Sequence, residues 1–164
     1  MPEVISDTSP LQYLHQIGLL QILPALAERI VVSPAVDKEL SVGRALGVDL
    51  PDLSKLGWVE IRSPSNRPAL PFAYDLGPGE TETLMLALES PESTALLDDS
   101  LARRVAEILK IRFSGTLGLL LDAKGTGLVS AIEPLLARLQ ALGFRLAPHT
   151  RLTILRLAGE AAGV

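Results

Sequence analysis

Val4-Ile5-Ser6-Asp7-Thr8-Ser9-Pro10 decides how the rest of the chain is read. Val4-Ile5-Ser6 is short and largely β-branched, which favours a strand. Pro10 suits the first turn of a helix over Leu11–Ile17, with Thr8 or Ser9 as its cap and Gly18 as its end. The segment thus reads as strand, turn and helix, with Asp7 at the carboxyl end of the strand.

The same arrangement recurs along the chain. Ile30-Val31-Val32 is a second buried strand, preceded by a short helix near Gln21–Glu28 and followed by a helix from Pro34 to about Leu46. The Pro-, Gly- and Ser-rich stretch from Gly47 to Tyr74 holds one strand, Trp58-Val59-Glu60-Ile61. Gly77-Pro78-Gly79 releases a helix through Glu89, and Thr94-Ala95-Leu96-Leu97 is the next strand. A helix over Ser100–Leu109, the strand Ile111-Arg112-Phe113-Ser114 and the helix Leu117–Lys124 follow. The remainder is helical over Ser130–Leu142 and Pro148–Gly159, with Gly143 between. Alternation of strands and helices at these lengths predicts an α/β fold of three layers, with a mainly parallel central sheet covered on both faces.

Composition narrows the function. A chain of 164 residues, 48% hydrophobic but only 4% aromatic, is long enough for a substantial aliphatic core. Cysteine is absent and only His15 and His149 offer imidazole, which excludes disulfides and thiolate sites and disfavours zinc. Leu117-Gly118-Leu119-Leu120-Leu121 ends at Asp122, far short of a membrane span. With no basic region preceding an apolar one at the start, the expectation is a soluble, cytoplasmic protein. The formal net charge of −4 is unevenly divided. Residues 1–100 carry 6 Lys and Arg against 15 Asp and Glu, whereas residues 101–164 carry 9 against 4. A carboxylate site beside a phosphate-attracting rim fits that division, as does an ordinary solvated surface.

The acids fall in telling places. In an open parallel sheet, ligands bind beyond the carboxyl ends of the strands. Asp7 follows the first strand, and Asp98 and Asp99 follow Thr94–Leu97. Glu80 and Glu82 open the helix after Gly79, and Glu39 lies early in the helix begun by Pro34. Singly, each has a structural explanation, because acids and hydroxyls cap helix starts and suit the positive end of the helix dipole. Together in one crevice they would repel one another and raise each other's pKa values, a conflict that a divalent cation removes. Mg²⁺ and Mn²⁺ favour such hard oxygen ligands, and a site of this kind suits phosphodiester hydrolysis.

These residues resemble those of a PIN domain, the nuclease fold of many prokaryotic toxin–antitoxin ribonucleases. The matching pieces are Ile5-Ser6-Asp7-Thr8-Ser9-Pro10, Val36-Asp37-Lys38-Glu39-Leu40, Leu76-Gly77-Pro78-Gly79-Glu80-Thr81-Glu82, Leu96-Leu97-Asp98-Asp99-Ser100-Leu101-Ala102-Arg103 and Gly115-Thr116-Leu117-Gly118. Gly143-Phe144-Arg145-Leu146 and Ala158-Gly159-Glu160 are similar to the ending of a subgroup with additional C-terminal helices. The resemblance covers almost the entire chain and implies one PIN-like domain over 1–164, with a core of about 1–128 and a helical extension of about 129–164. It implies a catalytic set of Asp7, Glu39, Glu80 and Asp99. Asp7, Glu80 and Asp99 would lie nearest Mg²⁺ or Mn²⁺, Asp98 is able to exchange with Asp99, and Glu39 would act directly or through water. The third acid is Glu80 where many PIN domains have Asp, a departure that shifts metal placement.

Supporting roles are more open. Thr8 or Ser9 would orient Asp7 or cap its helix, and Glu82 would assist the site or favour its own helix start. Arg103 would pair with Asp98 or touch RNA phosphate, with Arg104 beside it. Arg112, Lys124, Arg138, Arg145, Arg151 and Arg156 are further phosphate contacts in prospect. Phe72, Tyr74, Phe113 and Phe144 are too scattered to form a stacking surface, and His15 reads as a helix-face residue. The expected function is metal-dependent hydrolysis of RNA, with the chain as toxin to a small antitoxin protein and a homodimer by resemblance. The competing expectation is a PIN-like RNA- or protein-binding regulatory module with little or no nuclease activity. A receiver or Asp-x-Asp phosphatase fits poorly, since only Asp7 follows the first strand.

Overall fold

Five short apolar runs build the sheet. In the computed structural model, which describes residues 1–65 and 75–161, they are β1 (Glu3–Ser6), β2 (Arg29–Val32), β3 (Val59–Ile61), β4 (Ser93–Leu96) and β5 (Phe113–Ser114). Every pairing is parallel, in the order β3-β2-β1-β4-β5, so the sheet is wholly rather than mainly parallel. The helices are α1 (Thr8–Gln16), α2 (Ile22–Leu26), α3 (Pro34–Ala45), α4 (Pro78–Glu89), α5 (Ser100–Ile108), α6 (Thr116–Gly125), α7 (Glu133–Ala141) and α8 (Pro148–Leu157). No helix among the described residues is long and apolar enough to cross a membrane. Phe72 and Tyr74 lie outside the described residues.

Alternation of side chains along each strand divides the core into two layers. Val4, Ile30, Val32 and Leu96 join a cluster with Leu11 and Leu14 of α1, Leu40 of α3, Leu119 of α6, Leu136 of α7 and Leu155 of α8. Ile5, Val31, Ala95 and Leu97 face the other way, against Leu84 of α4 and Val105 of α5. This is the three-layer α/β/α architecture that continuous apolar strands require, because both faces of the sheet are buried. The order of the strands reverses at β1, which lies between β2 and β4. The crevice beyond the ends of β1 and β4 is therefore the place where a ligand fits.

Several boundaries differ from those expected. The first helix begins at Thr8, with Asp7 rather than Thr8 or Ser9 in the capping position, and the Asp7 side chain makes no capping bond. The strand Ile111–Ser114 shortens to β5 because Lys110 takes a left-handed φ of 57° and Ile111 N–H bonds back to Ala106 O at 2.9 Å. That contact wraps the end of α5 and delays the strand. The helix expected from Ser130 starts at Glu133, where Pro134 sits in its first turn without needing a donor.

The start of α7 is held from a distance. Glu160 accepts hydrogen bonds from Ile132 N–H at 2.7 Å and Glu133 N–H at 3.2 Å, and pairs with Lys124 Nζ at 2.8 Å. One carboxylate thus satisfies orphan donors at a helix start and ties α6 to the end of the described chain. Glu160→Ala should destabilise the protein by about 1 kcal/mol, the usual loss of a cap. Denaturant unfolding measures the loss, and amide exchange should accelerate at Ile132 and Glu133. Unchanged exchange at both amides would show that the contact does not hold α7.

Candidate active site

Parallel pairing of β1 with β4 brings the first acids together. Ser6 lies opposite Leu96, and Asp7 N–H donates to Leu96 O at 3.1 Å. Asp7 therefore leaves β1 beside Leu97-Asp98-Asp99, as the sequence predicts. It is only 3% exposed, the one charged side chain among the buried residues described. Its carboxyl is pushed up to about 7, first by burial and then by the charges of Glu80, Glu39 and Asp98, against the lowering effect of the Thr8 N–H.

Asp98 and Asp99, adjacent in sequence, do different work. Both oxygens of Asp98 are held by Thr116, Oδ1 accepting from the backbone N–H at 2.8 Å and Oδ2 from the hydroxyl at 2.6 Å. Burial raises the pKa of Asp98, while the Thr116 bonds and the Arg103 charge lower it. Asp99 is exposed and caps α5, its Oδ2 accepting from Ala102 N–H at 2.8 Å. Asp7 feels the charge of Asp98, whereas Glu80 feels that of Asp99. The ambiguity between them in the sequence has a physical basis, since each reaches a different member of the cluster.

Glu39 and Glu80 arrive from α3 and α4. Glu39 Oε2 accepts from the Thr8 hydroxyl, and Oε1 accepts from Gly79 N–H at 3.1 Å. A Cβ on Gly79 would stand 2.7 Å from Glu39 Oε2, so glycine is what lets this carboxylate settle against α4. Glu80 folds back so that Oε2 accepts from Gly77 N–H at 2.6 Å. This is half of a capping box, since Gly77 has no side chain to return the bond. Burial raises the pKa of Glu80, reinforced by Asp99 and Glu39 and opposed by the Gly77 bond.

The supporting residues sort differently from expectation. The Thr8 hydroxyl serves Glu39 rather than Asp7, and Ser9 bonds none of these acids. Glu82 supports neither the crevice directly nor its own helix start. Its Oε2 accepts from Ala35 N–H in the first turn of α3 at 2.9 Å, locking α3 against α4. Arg103 forms no salt bridge with Asp98; its guanidinium lies 5.3 Å over the Phe113 ring and acts on Asp98 only through its charge. Thr116 carries a role that sequence reading missed, although Gly115-Thr116 follows β5 directly and so enters the same crevice. His15 is engaged elsewhere, with Nε2 at 2.9 Å from Asp49 Oδ1.

The basic rim is thinner than the composition suggests. Arg112 pairs with Glu92, Lys124 with Glu160 and Arg151 with Glu133. Among the described residues, Arg138, Arg145 and Arg156 form no ion pair.

The donor set is all carboxylate oxygen, which fits Mg²⁺ or Mn²⁺ and not a soft metal. A buried carboxyl raised by three neighbouring charges is an arrangement that a cation relieves. Among the described residues, however, no three acidic or histidine side chains are drawn close enough to form a ready ligand cluster. The carboxylates are instead parked on local donors: Thr8, Gly77, Gly79, Thr116 and Ala102.

A family model for the PIN domain matches residues 3–160, and the chain belongs to that family. PIN domains are generally nucleases that use divalent metal ions. No curated protein matches the chain significantly.

Two outcomes follow from this geometry. A raised carboxyl pKa favours the folded state below the ordinary Asp value and loses that contribution as pH rises through about 7. Metal-free protein should therefore lose stability between about pH 4 and 8, by at most on the order of 4 kcal/mol. Thermal unfolding in chelator should show Asp7→Asn with a flatter pH profile and a higher midpoint at pH 8; equal profiles would refute the assignment. Separately, Glu82→Ala should cost about 1 kcal/mol by freeing Ala35 N–H, and Glu82→Gln, which keeps an acceptor oxygen, should recover most of it. Unfolding midpoints of the two variants decide the point.

Proposed function

We propose that this chain is a divalent-metal-dependent ribonuclease that hydrolyses RNA phosphodiester bonds. The observation that carries the reading is Asp7, buried beyond β1 with its carboxyl raised by burial and by Glu80, Glu39 and Asp98. A buried acid with a raised pKa, in the crevice where strand order reverses, supports a functional role for this position.

The chain's own residues divide the work as follows. Asp7 and Glu80 would present oxygens to the cation, with Asp98 or Asp99 completing the set. Glu39 is held by Thr8 and Gly79 and takes part directly or through water. When bound, Mg²⁺ or Mn²⁺ supplies Lewis acidity toward the phosphodiester and an activated water. Thr116 fixes the carboxylate plane of Asp98, and Glu82 fixes α3 and with it Glu39. The resemblance extends this reading to a homodimeric toxin restrained by a small antitoxin protein. Growth arrest on expression, reversed by a neighbouring small protein, is its test.

A second reading has one observation in its favour. Both oxygens of Asp98 and of Glu39 already accept hydrogen bonds, and Asp99 caps a helix. A PIN-like RNA- or protein-binding module with little or no nuclease activity would keep its acids in such structural bonds.

Cleavage of a labelled RNA with Mn²⁺, with Mg²⁺ and with chelator separates the two readings. Asp7→Asn and Glu80→Gln should each lower the metal-dependent rate by about 100-fold or more, the scale of a lost transition-state contact. Asp98→Asn and Asp99→Asn compared in the same assay show which acid of the pair serves the site. Retention of full cleavage by Asp7→Asn would overturn the proposal.

A further inference from the structure

Thr83 Oγ1 is the one buried side-chain polar atom without a hydrogen-bond partner among the described residues. The residue is wholly enclosed within α4. A helical threonine can turn its hydroxyl back on the carbonyl four residues earlier, but Thr83 does not bond Gly79 in this way. A buried donor left unpaired is unfavourable, and in a native fold it calls for an explanation.

Thr83 sits where the apolar core meets the acids. α4 starts at the crevice, where Glu80 acts on Asp7, and ends at Glu89, shortly before β4 begins opposite Glu3. It therefore runs back along the sheet, away from the acids. Residues three and four apart share a helix face, so Thr83 lies between Glu80 on the crevice side and Ala87 on the core side. Ala87 belongs with Ile5 to the layer that α4 covers. Asp7 continues the extended backbone two residues past Ile5, which turns it toward that same layer. The other threonines of the crevice already serve an acid each, Thr8 donating to Glu39 and Thr116 to Asp98. Asp7 has the Thr8 N–H but, among the described residues, no hydroxyl.

We propose that Thr83 is a positioning residue for Asp7, its hydroxyl donating to one carboxylate oxygen from the core side and leaving the other turned outward to a divalent cation. The two are not bonded in this structure. A helical threonine populates two χ1 positions, however, so the hydroxyl can swing without movement of the backbone. Thr83 then touches neither cation nor RNA and acts only through Asp7. The assignment rests on the metal-dependent reading for the cation, whereas the contact between Thr83 and Asp7 needs none.

Thr83→Val keeps the shape and removes the hydroxyl, and Thr83→Ser keeps the hydroxyl. In calorimetric titration of the full chain with Mn²⁺, Thr83→Val should bind about tenfold more weakly, the scale of a lost outer-shell partner. Thr83→Ser should bind like the parent chain. A hydroxyl with no role predicts the opposite pattern, in which valine raises the unfolding midpoint and leaves Mn²⁺ affinity unchanged. Unchanged Mn²⁺ affinity in Thr83→Val overturns the proposal. A double-mutant cycle in chelator at pH 8, where the Asp7 carboxyl is charged, reads the contact itself. Thr83→Val should lower the unfolding midpoint when Asp7 is present and raise it beside Asp7→Ala. Equal shifts in the two backgrounds also overturn the proposal. If the cycle shows the coupling but the parent chain binds no Mn²⁺, Thr83 stands as the partner of Asp7 and the metal-dependent reading fails.

Discussion

The hydrogen-bonded alignment of β1 with β4 is the constraint on which the rest depends. Ser6 opposite Leu96, continued by Asp7 N–H to Leu96 O, fixes where two chain segments about ninety residues apart leave the sheet. A register slip of one residue would turn Val4 and Ile5 to the wrong layers and carry Asp7 away from Asp98. The core and the crevice are therefore set by the same ladder. Stability of the apolar layers holds the acids against their mutual repulsion.

That repulsion is managed locally. Each carboxylate except Asp7 has a donor of its own close at hand, from a helix start or a threonine hydroxyl. Asp7 has the Thr8 N–H and little else, and it is the one driven furthest from the ordinary carboxyl range. The contrast marks Asp7 as the position where the fold leaves an electrostatic need for something else to meet.

Much of this was legible in the sequence, for definable reasons. Continuous β-branched runs such as Ile30-Val31-Val32 declare buried parallel strands, and an acid just past such a run lands at the crevice by topology alone. The placement of Asp7 and the Asp98-Asp99 pair follows from that rule. What stayed hidden was partnership across sequence. Glu82 reads as a first-turn acid of α4, yet its partner is Ala35 N–H on another helix. Thr116 reads as a helix start, yet both of its donors turn to Asp98. Ionic partners of Arg112, Lys124 and Arg151 are likewise invisible to composition, so the charge division overstated the basic rim.

The bonds of Glu160 to Ile132, Glu133 and Lys124 have a temporal side. Folded proteins open locally, and an element held by few contacts opens more often than the core strands. Asp7, Glu39, Glu80, Asp98, Asp99 and Thr116 all precede Glu160 by a long stretch of chain. Opening of the Glu160 bonds frees the start of α7 and leaves the ladder of β1 with β4 untouched. The Glu160 contact is thus a local clasp, whose loosening is a smaller and more frequent event than unfolding of the whole sheet.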